Sequence, residues 1–148
     1  MSAAIRLGET MTVTKNAGSA SDYVYSATLW TPSVPYPGAK AYYDTFFAKY
    51  NSPTEYHGAE AYSAMYVIAD ALKRAKSLSR TDIRDALAET DLITAFGPIK
   101  FISYGKKTNQ NKLPTFLVQW QKGKLETVWP AKVATSKYIY PAPKWSQR

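Results

Sequence analysis

The chain has 148 residues, 45% of them hydrophobic and 14% aromatic, which is enough for one domain with its own core and excludes a mainly disordered polypeptide. No apolar run approaches the roughly 20 residues that span a bilayer, and zero cysteines exclude disulfides, thiolate catalysis and Cys-zinc sites. The net charge of +8 is uneven: residues 1–99 carry nine Lys/Arg against ten Asp/Glu, while residues 100–148 carry ten Lys/Arg against Glu126 alone.

In chain order, Met1 to Ala20 is rich in Ser, Thr, Gly and Ala and reads as a loosely held arm. Its first residues hold one Arg and no apolar block and are not expected to act as an export signal. Tyr23 to Trp30 (YVYSATLW) is β-branched and aromatic and reads as a strand. Three prolines within Thr31 to Pro37 forbid a regular element and mark a stiff connector. Helical spacing returns from Gly38 to Tyr50, with Ala39, Tyr43, Phe46, Phe47 and Tyr50 expected on one side. A second helix is expected from Gly58 to about Lys76, with Ala61, Met65, Ile68, Leu72 and Ala75 as its apolar stripe. Ser79 to Asp82 (SRTD) has the form of a capping box with Asp in place of Glu, and it opens a third helix to about Glu89 through Ile83 and Leu87. Gly97-Pro98 turns the chain into a strand over Ile99 to Ile102, and Gly105 to Asn111 reads as a polar loop. Thr115 to Trp120 and Leu125 to Trp129 flank QKGK, a strong hairpin signal. The proline-containing tail beyond Pro130 is expected to wrap over a surface.

The chemistry-bearing residues are few. His57 is the only histidine, so one chain holds no two-histidine metal site and no histidine relay. The carboxylates Asp82, Asp85, Glu89 and Asp91 belong to one helix and its exit and face water. There is no phosphate-binding glycine loop and no G-x-S-x-G elbow. These absences argue against an enzyme and against any cofactor. What remains is aromatic material near helix starts and loops: Trp30, Tyr36, Tyr56 and His57. Such residues line small-molecule clefts and fill cores alike. The basic half suits a solvated surface, or else a nucleic acid, an anionic membrane or an acidic partner, with Trp120, Trp129 and Tyr138 as half-buried strand aromatics or stacking platforms.

Five motifs follow one another between Asp22 and Trp145: DYVYSATLW with PYPGAKAYYDTFFAKY, then GAEAYSAMYVIADAL, then SRTDIRDALAETDLITAFGPIKF, then NQNKLPTFLVQWQKGKLETVWP, and finally PAPKW. In this order the chain resembles the C-terminal portion of type I periplasmic substrate-binding proteins of ABC transporters, in the branched-chain amino acid (Leu/Ile/Val-binding) family. The resemblance implies an α/β chain with a partial type I periplasmic-binding-protein fold: about three helices packed on a small sheet, with a C-terminal β-hairpin. Residues 1–148 would form a single incomplete domain, made of a flexible arm (1–21), the matched segment (22–130) and the tail (131–148). One of the crossings between the two lobes would lie near Trp30 to Pro37. The family is non-catalytic, takes no cofactor and closes two lobes on a solute. The implied partners of the intact protein are an amino acid or aromatic acid and the membrane subunits of an ABC importer, with no nucleic acid. The implied location is periplasmic, or extracellular with a lipid anchor. Tyr56 or His57 stands where the family sets an aromatic residue against the ligand, and Trp30 and Tyr36 stand at the crossing. Because an interrupted sheet exposes edges and an apolar face, a homodimer of this piece is expected. The alternative is a basic module that binds nucleic acid or another polyanion.

Overall fold

The computed structural model describes residues 16–147, so most of the expected N-terminal arm lies outside the described residues. A short 3-10 turn, Gly18–Ser21, leads into strand β1 (Tyr25–Thr28). The proline-rich connector follows, then helices α1 (Ala39–Tyr50), α2 (Tyr56–Arg74) and α3 (Arg80–Ala88). Strands β2 (Asp91–Thr94), β3 (Gly97–Tyr104) and β4 (Lys107–Asn111) come next, and β5 (Phe116–Gln121) and β6 (Lys124–Trp129) complete the sequence of strands. The strands form two antiparallel three-stranded sheets, one ordered β1-β5-β6 and the other β2-β3-β4.

Each boundary has a local cause. Helix α1 stops at Asn51, whose left-handed conformation (φ 48°) lets its N–H donate to the Phe47 carbonyl. At α3 the Ser79 hydroxyl accepts from the Asp82 N–H at 3.1 Å. The reciprocal half of the expected capping box is absent, because the Ser79 N–H donates to the Ser77 hydroxyl instead, at 3.1 Å. The β5–β6 turn is Lys122-Gly123, both at positive φ (52° and 72°), which matches the twist of a two-residue hairpin.

The core joins the connector to the helices and both sheets: Trp30 and Val34, Ala39 of α1, Ala59 and Val67 of α2, Phe96 and Ile99 of the β2–β3 hairpin, and Phe116 of β5. The helix faces differ from those expected. In α1 only Ala39 is buried, Tyr42, Tyr43 and Phe46 are half-buried, and Phe47 and Tyr50 are exposed. In α2 the buried face is Ala59, Ser63, Val67 and Ala71, whereas Met65 is 64% exposed and Ile68 and Leu72 are also outward. Small side chains let the β2–β3 turn approach α2 closely enough for the Phe96 N–H to donate to the Ser63 hydroxyl at 3.0 Å. Two stretches of backbone also differ. Asp91 is the first residue of β2 rather than a helix exit, and Lys107–Asn111, expected as a loop, pairs with β3. A strand at the rim of a sheet needs only backbone partners, so its side chains show no apolar alternation.

After β6 the tail makes a 3-10 turn, Ala131–Val133, and runs beside the first sheet. The fully buried Gln119 amide accepts from the Ile139 N–H at 2.9 Å and donates to the Ile139 carbonyl at 3.1 Å. The Tyr25 hydroxyl donates to that same carbonyl at 2.7 Å. Trp120 is fully buried, while Trp129 and Tyr138 are mostly exposed, so none of the three is half-buried.

Candidate functional site

A cavity of about 360 Å³ opens between the first sheet and the link from α1 to α2. One wall is the face of β5 and β6 that carries Val118, Trp120, Leu125 and Thr127. The other is Tyr43 of α1 with Pro53–Tyr56, the approach to α2. The connector from Thr28 to Ser33 closes one end. The lining is mostly apolar and aromatic with a few polar tips, the usual composition of a small-molecule cleft.

The polar tips are held by one another. Thr31, Ser33 and Thr127 form a ring of three hydroxyls, with contacts of 2.8, 3.1 and 3.2 Å. A hydroxyl both donates and accepts, so such a ring can reorient one member toward a guest without losing every bond. Glu55 occupies the N-cap position of α2, yet its side chain caps nothing, and it borders the cavity along with Lys124 and Glu126. The cavity edge therefore carries both signs of charge beside an aromatic wall.

The four aromatic residues selected from sequence divide into two pairs. Trp30 and Tyr56 both line the cavity. Trp30 is only 3% exposed, its indole N–H donates to the Ala95 carbonyl at 2.8 Å, and its ring meets the edge of Tyr42. Tyr56 is half-buried at the first turn of α2 and stacks on His57, with ring centroids 3.9 Å apart. His57 itself is exposed and does not line the cavity. Tyr36 packs instead over Gly97, where an added Cβ would lie 3.1 Å from the Tyr36 ring. The sequence reading missed Tyr43, Glu55 and the hydroxyl ring. The one local signal for the ring is the TPS run after Trp30, because Thr127 joins from a strand distant in sequence.

No group of three or more His, Cys, Asp or Glu side chains among the described residues could hold a metal ion. No described helix is long and apolar enough to cross a membrane. Two tyrosines outside the cavity have raised pKa values. Burial is the main cause at Tyr25, reinforced by Tyr138 and Tyr140 and opposed by its hydrogen bond with Gln119. At Tyr62 the chief cause is the hydrogen bond with Tyr66, followed by burial.

Comparison with known proteins agrees with this architecture. Residues 2–124 match the family described as periplasmic binding protein. Leu/Ile/Val-binding protein homolog 7 of Brucella suis biovar 1 is 32% identical over 113 residues, taking in 71% of this chain and 27% of that protein. The homologue from Brucella melitensis biotype 1 is 28% identical over 107 residues, with the same coverage. The chain thus spans about a quarter of the length of the curated relatives it matches. Among solved structures, the leucine-binding protein LivK of Thermotoga maritima superposes with a TM-score of 0.62 at 20% identity, over 80% of this chain and 33% of that one. LivJ of Streptococcus pneumoniae, solved with isoleucine, gives 0.64 at 24% identity, over 82% and 35%. A solute-binding protein of R. palustris, solved with benzoate, gives 0.62 at 19%, over 86% and 34%. These are solute-binding proteins rather than enzymes, and the α/β fold of three helices and two small sheets is theirs in part. The chain belongs to the periplasmic binding protein family.

Proposed function

We propose that the protein is a solute receptor of an ABC importer, and that the cavity between the first sheet and the α1–α2 link is one side of its solute cleft. The observation that carries this reading is the convergence of Trp30, Tyr43, Tyr56 and the Thr31–Ser33–Thr127 hydroxyl ring on a single opening. Tyr56 is the residue that meets the apolar part of the solute, and Trp30 is the fixed backing of the pocket; His57 and Tyr36 support the site from outside it. The solute is a small amino acid or an aromatic carboxylate, a class supported by the isoleucine-bound and benzoate-bound neighbours. Function proceeds by closure: the ligand bridges two lobes and favours the closed arrangement by its differential affinity. The importer's membrane subunits then recognise that arrangement at the periplasmic face.

In this reading the chain is a single incomplete domain, followed after β6 by a tail over 131–148. The outward face of α2, with Tyr62, Met65, Tyr66, Ile68 and Leu72, is covered by a second copy of the chain.

Calorimetry with leucine, isoleucine and benzoate tests the proposal. Because the chain matches only about a quarter of its relatives' length, its isolated cavity supplies few of the contacts and binds weakly, with Kd of millimolar order or above. Micromolar binding by the 148-residue chain would contradict the view that the cavity is only one wall of the site.

A further inference from the structure

The β3–β4 hairpin is a ribbon that stands away from the body. Every residue from Ile102 to Gln110 is exposed, and its pairing runs from Phe101 with Asn111 to Tyr104 with Lys107 around the tight turn at Gly105. Its charge has one sign. The sequence holds no Asp or Glu between Asp91 and Glu126. Lys100, at the base, is neutralised by Asp91 at 2.5 Å, but Lys106, Lys107 and Lys112 have no acidic partner among the described residues. The ammonium groups of Lys107 and Lys112 lie 6.0 and 5.6 Å from the centre of the Tyr104 ring. Ile102, on the same strand and separated from Tyr104 by a shift in register, is also exposed.

We propose that this ribbon docks on the headgroups of an anionic phospholipid surface. Two ammonium groups close to one ring offer phosphodiesters charge-assisted donors, while the exposed tyrosine ring settles at the depth where headgroups meet acyl chains. Each lysine near an anionic surface adds a similar increment of attraction, so three together raise the partition constant roughly a hundredfold. Nucleic acid fits the ribbon less well. A strand-binding groove uses several stacking platforms and arginine forks, whereas this ribbon offers one ring and the chain has no Arg between Arg84 and Arg148. The proposal does not depend on what the cavity binds.

Co-sedimentation of the 148-residue chain with vesicles tests it, using pure phosphatidylcholine and phosphatidylcholine mixed with phosphatidylglycerol. The chain is expected to sediment with the mixed vesicles only, and to be released as salt rises. Lys106→Gln/Lys107→Gln/Lys112→Gln together should lower the partition constant roughly a hundredfold, and Tyr104→Ser should lower it several-fold. Arg at the same three positions should preserve binding, and Lys73→Gln on α2 should leave it unchanged. These side chains are exposed, so thermal unfolding of each variant should match the parent. No sedimentation with anionic vesicles, equal binding by the triple Gln variant, or tighter binding to duplex DNA than to vesicles at equal phosphate and salt would each overturn the proposal.

Discussion

The hydroxyl of Thr54 fills the space that a side chain on Gly58 would need. A Cβ built on Gly58 would fall 2.2 Å from Thr54 Oγ1 and 2.7 Å from the Tyr42 hydroxyl, two groups that are themselves bonded at 2.9 Å. This contact ties α1 to the start of α2 directly beside Tyr56. Replacing an interior helical Gly by Ala ordinarily favours the helix by about 1 kcal/mol. Here Gly58→Ala should destabilise by about 1–3 kcal/mol, because overpacking outweighs propensity. In a Thr54→Ala background most of that penalty should vanish, leaving a coupling of roughly 0.5–3 kcal/mol in a double-mutant cycle read by urea unfolding. Additive effects would show that the contact relaxes without cost.

Trp30 holds the core and backs the cavity at once. Trp30→Phe keeps most of the ring but leaves the Ala95 carbonyl without its 2.8 Å donor, and should cost about 1–3 kcal/mol. Trp30→Ala also opens a void and should cost about 3–5 kcal/mol. Equal costs in chemical denaturation would mean that the hydrogen bond, not the ring volume, dominates.

The outward face of α2 has its own consequence. If a second copy covers Tyr62, Met65, Tyr66, Ile68 and Leu72, light scattering at high concentration should give a dimer, and Met65→Glu with Ile68→Glu should return it to a monomer. A compact monomer of the unmodified chain at that concentration would remove the dimer.

Tyr25 links pH to the attachment of the tail. Its folded pKa is raised above the ordinary value of 10.0, chiefly by burial, so folding favours the neutral phenol. The stability it contributes is therefore complete below pH 10 and is lost as pH rises through the folded pKa. Tyr62 acts in the same direction. The urea midpoint should fall above pH 10, and more gently in Tyr25→Phe than in the parent. An identical alkaline profile in Tyr25→Phe would exclude Tyr25 as a source of the loss.

Features set by neighbouring residues were legible in the sequence. They include the end of the first helix at Tyr50, the Ser79 cap, the turn within QKGK and the three helices. Features set by distant residues were not. The bulky residues of α2 look like its buried stripe, but the β2–β3 turn packs so close that Ala59, Ser63 and Ala71 are the ones that fit. Strand β4 shows no apolar alternation because its side chains are exposed or half-buried and it joins the sheet through backbone pairing and the Asn111 amide. For the cavity, the aromatic residues near Trp30 and Tyr56 drew attention by type, and the fold then separated them: Tyr36 turned to Gly97 and His57 to water. Thr127 reaches Thr31 across most of the chain, a pairing that no local motif encodes.

The most direct test of the cleft reading is chemical-shift mapping of the isotope-labelled 148-residue chain, titrated with isoleucine or benzoate to roughly 50 mM so that even millimolar affinity registers. Shifts should centre on Glu55, Tyr56, the Trp30 indole and Leu125 to Thr127, and should disappear in Tyr56→Ala. No shifts at all, or shifts centred away from this cavity on Val67, Ile99 and Phe101, would contradict the account.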